Sequence, residues 1–88
     1  MSATYTVEVH VGCMVAAEAA EAAFTAAWAA LVEHASARRL ASPTKRVAYF
    51  RVTFASDAEI ASVVKAAERA ACRHGSANAF VVRKPIAK

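Results

Sequence analysis

Residues 39–54, RLASPTKRVAYFRVTF, determine which of two sheet folds the chain adopts. Residues 46–54 alternate strictly, which predicts a strand with Ala48, Phe50, Val52 and Phe54 toward the core and Val47, Tyr49, Arg51 and Thr53 away from it. Residues 42–44, SPT, read as a turn. If residues 39–42 form a short edge strand, the two segments make a hairpin. Without that edge strand, residues 46–54 stand alone between two helices.

Residues 4–11 and 15–37 precede this stretch. Residues 4–11 alternate as well, with Tyr5, Val7, Val9 and Val11 on one side, and Gly12 is expected to end the strand. A helix follows over about residues 15–37, whose predicted core stripe includes Phe24, Trp28 and Leu31 with Val32 beside it.

A second helix and a last strand follow the stretch. Ser56 and Glu59 have the spacing of a capping box, which predicts a helix start at Ser56. Its buried stripe is expected at Ile60, Val63, Val64, Ala67 and Ala71, and Gly75 is expected to end it at the C′ position. Residues 79–84 are predicted to form the last strand, with Phe80 and Val82 directed inward.

The element order is therefore β-α-(β)-β-α-β in one domain, residues 1–88. With the edge strand, this is an α+β fold of the ferredoxin-like split βαβ type, with two helices on one face of a small mixed or antiparallel sheet. The alternative is a three-stranded βαβαβ unit. Right-handed crossovers predict that residues 46–54 lie parallel and adjacent to the first strand.

Composition narrows the class of protein. Apolar residues make up 58% of the chain, which excludes disorder, although 25 of the 88 residues are alanine. Such alanine enrichment is typical of a high-GC genome, for example an actinobacterium or one of its phages.

The uncharged stretch 22–32 is too short to span a bilayer, which takes about 20 residues. Two cysteines and no signal-peptide pattern predict a cytoplasmic protein with reduced thiols.

The opposite side of the first helix is the first candidate binding surface. An arc of small residues covers it, which favours close approach of a partner helix, including that of a second copy: Ala19, Ala22, Ala23, Ala26 and Ala30. The alternative interpretation is that alanine is simply a good helix former.

The sheet face that the helices leave open is the second candidate. Tyr49 and Arg51 are expected on it, with Thr4, Thr6, Glu8, His10, Thr53, Val81 and Arg83. Residues 47–54 partly resemble the aromatic strand motif of RNA-recognition domains, which stack bases on such a face. The motif's glycine is missing here, and an arginine replaces one of its aromatic residues.

Basic residues are concentrated in residues 38–88, which carry all 11 Lys and Arg against three acidic residues. A nucleic-acid-binding alternative would use two groups of them. One is Arg38, Arg39, Lys45 and Arg46; the other is a stripe on the second helix formed by Lys65, Arg69 and Arg73. A solvated helix face and neighbouring acidic elements explain the same pattern.

No motif for catalysis or for a cofactor is present in the sequence. His10, Cys13 and Met14 gather before the first helix and resemble the metal-binding loop of heavy-metal-associated domains. The second cysteine of that loop is absent, so no metal site is predicted. The sequence thus predicts a non-enzymatic protein-binding module without a cofactor or membrane contact, a homodimer or a protein docked on a partner through the alanine arc or the open sheet face. Nucleic-acid binding is the alternative.

Overall fold

A computed structural model describes residues 4–14, 17–42 and 44–82. The element order is β1 (Tyr5–Cys13), α1 (Ala17–His34), β2 (Ser36–Leu40), β3 (Val47–Phe54), α2 (Asp57–Cys72) and β4 (Ala77–Val82). Pro43 and Arg83, together with the predicted start of the first helix at residues 15 and 16, lie outside the described residues. The edge strand exists as β2, so the ferredoxin-like split βαβ arrangement is confirmed and the three-stranded alternative is wrong.

The four strands form one sheet in the order β2-β3-β1-β4, and all neighbouring strands are antiparallel. β3 lies beside β1 as predicted, but the prediction that they are parallel is wrong. The crossover through α1 leads from β1 to β2, and these two strands are parallel. The β2–β3 hairpin then reverses the chain, so β3 lies between β2 and β1 and is antiparallel to both.

The core lies between the sheet and the two helices, which pack against each other on the same side of it. The sheet contributes Val9, Val11, Cys13 and four buried residues of β3, Ala48, Phe50, Val52 and Phe54. α2 contributes the five predicted residues Ile60, Val63, Val64, Ala67 and Ala71. The facing of β1 and β3 and the buried stripe of α2 are therefore confirmed.

α2 begins where the capping box predicts. The Ser56 hydroxyl oxygen accepts a hydrogen bond from the Ala58 N–H at 3.2 Å, and the main chain of Ser56 is extended. The helix ends at Cys72 with Arg73 as its C-cap, so Gly75 lies two residues beyond the cap and not at C′. Its φ of 145° is a conformation that favours glycine, which lets the chain turn into β4.

Gly12 does not end β1, which continues to Cys13. Gly12 pairs with Val47 on one side and Asn78 on the other. A β-carbon at position 12 would lie 3.0 Å from the Asn78 side-chain oxygen, so this glycine permits Asn78 to lie across it.

Candidate functional site: the open face of the sheet

No helix of the described residues, 4–14, 17–42 and 44–82, covers one face of the sheet, and we call the side chains of that face the open face. Strand alternation and the observed register place the following residues on it: Thr6, Glu8, His10 and Gly12 of β1; Ser36, Arg38 and Leu40 of β2; Val47, Tyr49, Arg51 and Thr53 of β3; Asn78, Phe80 and Val82 of β4. Tyr49 and Arg51 lie on this face as the sequence predicts.

Four side chains form a row across all four strands, which we call the aromatic row. The register aligns Leu40, Tyr49, His10 and Phe80 in that order. The His10 and Tyr49 rings are stacked, with centroids 4.0 Å apart and planes 18° apart. Phe80 meets His10 edge-on at 5.6 Å and is 46% exposed. The row thus places three rings in contact, with an aliphatic side chain aligned beside them, across the uncovered face of the sheet.

A charged row lies immediately beside the aromatic row. It consists of Glu8, Arg51 and Arg38, aligned across β1, β3 and β2. The carboxylate of Glu8 is 3.1 Å from Nε2 of His10, which ties the two rows together. Like charges directly opposite each other on neighbouring strands destabilise a sheet, so the Arg38–Arg51 pairing favours an anionic group near it.

A third row consists of hydroxyl groups. The Thr6 and Thr53 hydroxyl oxygens are 3.1 Å apart, and Ser36 aligns with Thr53 on the other side. Aromatic, charged and hydroxyl rows therefore follow one another along the strands.

Phe80 is the residue that the sequence prediction missed. Phe80 and Val82 were expected inward and Val81 outward, but Ala77, Ala79 and Val81 pack toward the core and Phe80 lies on the open face. The strand begins two residues earlier than predicted, directly under α2, where small side chains fit. The segment alone gives no signal for this facing, because small and large apolar residues alternate in it and only the space under α2 selects the small ones.

The predicted alanine arc of α1 does not form one exposed surface. Ala23 and Ala30 are enclosed in the domain's own core, whereas Ala19 and Ala26 are half-buried and Ala22 is exposed. Conversely, Trp28 and Val32, expected at the core, are 37% and 55% exposed. Two of the five alanines therefore serve the packing of α1 within its own chain.

The predicted basic residues are dispersed over three parts of the surface. Arg38 lies on the open face, and Lys45 and Arg46 are exposed between β2 and β3. The third part is the exposed stripe of α2, on the other side of the sheet, formed by Lys65, Arg69 and Arg73.

Arg39 is bound to Glu21, with its two terminal nitrogens donating to the carboxylate oxygens at 2.6 and 2.9 Å. That pair lowers the pKa of Glu21 and raises the pKa of Arg39, since the hydrogen bonds favour both charged forms.

A shallow cleft adjoins this ion pair. It is lined by Glu18, Glu21, Phe24, Arg39, Ser42, Thr44 and Lys45. The guanidinium of Arg39 lies 5.7 Å from the centre of the Phe24 ring and forms one wall. Its charged lining consists of two carboxylates and two cations, so the cleft offers no concentrated charge of one sign to a ligand.

The possible metal ligands near the start of α1 are not brought together. His10 lies on the open face, whereas Cys13 is buried in the core on the other side of the sheet. In the three described ranges, no three His, Cys, Asp or Glu side chains group to hold a metal ion. Among those residues there is also no helix of the length and hydropathy that crossing a membrane requires.

Comparison with known proteins agrees on the fold. No protein-family model matches the chain, and no curated protein matches it. A solved structure, the C-terminal segment of the alpha subunit of aIF2 from Pyrococcus abyssi, superimposes with a TM-score of 0.61 at 14% sequence identity. The match covers 93% of this chain and 51% of that one, so the chain corresponds to about half of its structural neighbour.

Proposed function

We propose that this domain is a non-enzymatic binding module that docks on a protein through the open face of its sheet. The observation that carries the proposal is the aromatic row, which crosses four strands on a face without covering helices. Interfaces are enriched in aromatic residues and arginine, and the open face combines Tyr49 and Phe80 with Arg38 and Arg51.

Two observations favour a protein over a nucleic acid on this face. A base stacks on the flat face of a ring, but the His10–Tyr49 stack already occupies one face of each ring, and both residues are half-buried. The basic stripe of α2 lies in the helix layer, so one nucleic-acid strand lying on the aromatic row does not reach it.

The alanine arc of α1 is the weaker of the two predicted surfaces. Because Ala23 and Ala30 are enclosed in the core, only Ala19, Ala22 and Ala26 of the arc are accessible to a partner protein. The open face offers larger side chains in a continuous arrangement, and burying large apolar groups contributes more to binding than burying alanine.

The setting proposed is the cytoplasm. Cys13 and Cys72 are both free thiols, which fits a reducing compartment. Cys72 is exposed, and its Sγ lies 3.2 Å from the Ala77 carbonyl oxygen.

Site-specific photo-cross-linking tests the docking surface. A benzophenone amino acid is placed at position 80 on the open face and, as a matched control, at position 22 on the exposed side of α1. We expect protein adducts from position 80, their loss on Tyr49→Glu, and none from position 22. Adducts that form from position 22 and not from position 80 would contradict the proposal and favour the alanine arc.

Nucleic-acid binding is the second candidate, favoured by one observation: the outward ring of Phe80 lies on the same face as Arg38 and Arg51. Retention on immobilised heparin and on single-stranded RNA decides it. Binding to phosphates weakens steeply with salt, so retention at low salt that disappears at higher salt and on Arg51→Glu would support this alternative. No retention at low salt would exclude it.

A further inference from the structure

We propose that the occupant of the open face is a second copy of this chain. The two sheets pack face to face about a two-fold axis that runs parallel to the strands, between β1 and β3. This inference rests on the proposed docking function of the open face and adds the identity and geometry of the partner.

At each edge of the sheet, a helix side chain bonds one outward main-chain group. Trp28 of α1 donates from its indole nitrogen to the Ala37 carbonyl of edge strand β2 at 3.2 Å. At the other edge, Glu68 of α2 accepts from the Ala79 N–H of β4 at 2.9 Å. Adding a strand at either edge would compete with these two bonds, whereas association through the open face leaves both intact.

The position of the axis follows from the order β2-β3-β1-β4, since a strand-parallel axis between β1 and β3 sets β1 opposite β3 of the second copy and β4 opposite β2. Every row then meets the same row. His10 faces Tyr49 of the second copy and Phe80 faces Leu40, so the two aromatic rows form one apolar centre. Sheets that pack in this aligned way lie about 10 Å apart, a distance that interdigitating side chains fill.

The charged row is also complementary about this axis. Glu8 faces Arg51 of the second copy, and Arg51 faces Glu8 of the second copy, which gives Arg51 of each copy an additional carboxylate, while Arg38 faces Val82 of the second copy. A two-fold axis perpendicular to the strands and centred on the aromatic row would instead place the charged row opposite Gly12, Val47 and Asn78. Charge complementarity therefore selects the strand-parallel axis.

A charge-exchange experiment tests the pairing. Size exclusion with light scattering is expected to give the wild-type protein twice the mass of the 9.3-kDa chain. Glu8→Arg leaves only arginines in the charged row at β1 and β3, and Arg51→Glu leaves only carboxylates there. Each variant alone is expected to raise the dissociation constant by at least about tenfold, because like charges then meet across the interface. An equimolar mixture of the two variants should regain the dimer mass, because each face then meets its opposite.

Three controls make each outcome decisive. Circular dichroism confirms that both single variants fold, and the double variant Glu8→Arg/Arg51→Glu should dimerise like the wild type. Ala22→Glu on α1 should leave the dimer intact. Folded single variants that remain monomeric when mixed would overturn the strand-parallel axis.

Failure of this inference is distinguishable from failure of the docking function. A wild-type monomer that still gives adducts from position 80 in a cell lysate would overturn the second-copy inference and leave the docking function in place. A wild-type dimer that survives both charge variants and is lost in Ala22→Glu would overturn both and assign the interface to α1.

Discussion

Arg39 joins edge strand β2 to the first half of α1 through one carboxylate, that of Glu21. The hydrogen bonds hold the pKa of Glu21 below its ordinary value of 4.5. A carboxylate whose pKa is lowered by folding stabilises the folded state above its unfolded pKa, and the contribution is lost as the pH falls through the folded pKa. Glu21 is largely exposed, so solvent screens the pair and its contribution is less than about 1 kcal/mol.

A double-mutant cycle with Glu21→Gln and Arg39→Gln measures this contribution. At neutral pH we expect a coupling free energy of a few tenths of a kcal/mol, about the middle of the range for exposed pairs. In acid, where Glu21 is protonated in both states, the coupling should vanish. Urea unfolding at both pH values provides the measurement, and a coupling unchanged in acid would show that the charge of Glu21 is not its cause.

Which face of the sheet each residue lies on could be predicted for β1 and β3 but not for β4. In β1 and β3 the apolar residues alternate with polar ones, so the inward set was predictable. In β4 the outward Phe80 is larger than the inward Ala77 and Ala79, so hydrophobicity alone assigned the faces the wrong way round. The space under α2, which decides the matter, is a property of the folded chain and not of the segment.

At the scale of elements, Ser56 fixes the start of α2 by accepting the Ala58 N–H. Ser56→Ala removes that acceptor and is expected to lower the free energy of unfolding by about 1 kcal/mol. Ser62→Ala is the matched control. The exposed Ser62 hydroxyl donates to the Glu59 carbonyl of the same helix and caps no helix end. Since alanine is the better helix former there, this change should be neutral or slightly stabilising. Equal losses in urea unfolding would contradict the capping role.

The two helices differ in how much their sequences predict. In α2, Ile60, Val63 and Val64 lie at helical spacing on one side and the charged residues on the other, so the buried stripe could be predicted and extended to Ala67 and Ala71. In α1, alanine occurs on every side and offers no contrast, so the predicted stripe was rotated away from the observed one, which contains Ala23 and Ala30. The helix also ends at His34, so residues 36 and 37, predicted as its last residues, lie in β2, which spans 36–40 and not the predicted 39–42. Pairing with β3 in the hairpin favours a strand at these positions.

At the scale of the whole molecule, a defined dimer through the open face requires that the edge strands do not pair with other copies. A sheet with one uncovered face and two free edges has several ways to associate, and only one of them gives a defined dimer. Trp28 and Glu68 reach from opposite helices to opposite edges, so each helix both covers the core and protects the strand beside it. The sequence predicted the layers but not this protection, because it arises from residues that meet only in the folded chain.

Glu68 tests whether the β4 edge is held in this way. Glu68→Ala removes the acceptor of the Ala79 N–H, whereas Glu68→Gln keeps an oxygen at the same distance along the side chain. A hydrogen bond to a charged acceptor contributes roughly 1.5 kcal/mol, so hydrogen exchange at Ala79 should become about tenfold faster in the alanine variant and change less in the glutamine variant. Light scattering should also show species larger than a dimer in the alanine variant alone, since an unprotected edge pairs with other copies. Equal exchange rates at Ala79 in all three proteins would show that the bond to Glu68 does not protect the β4 edge.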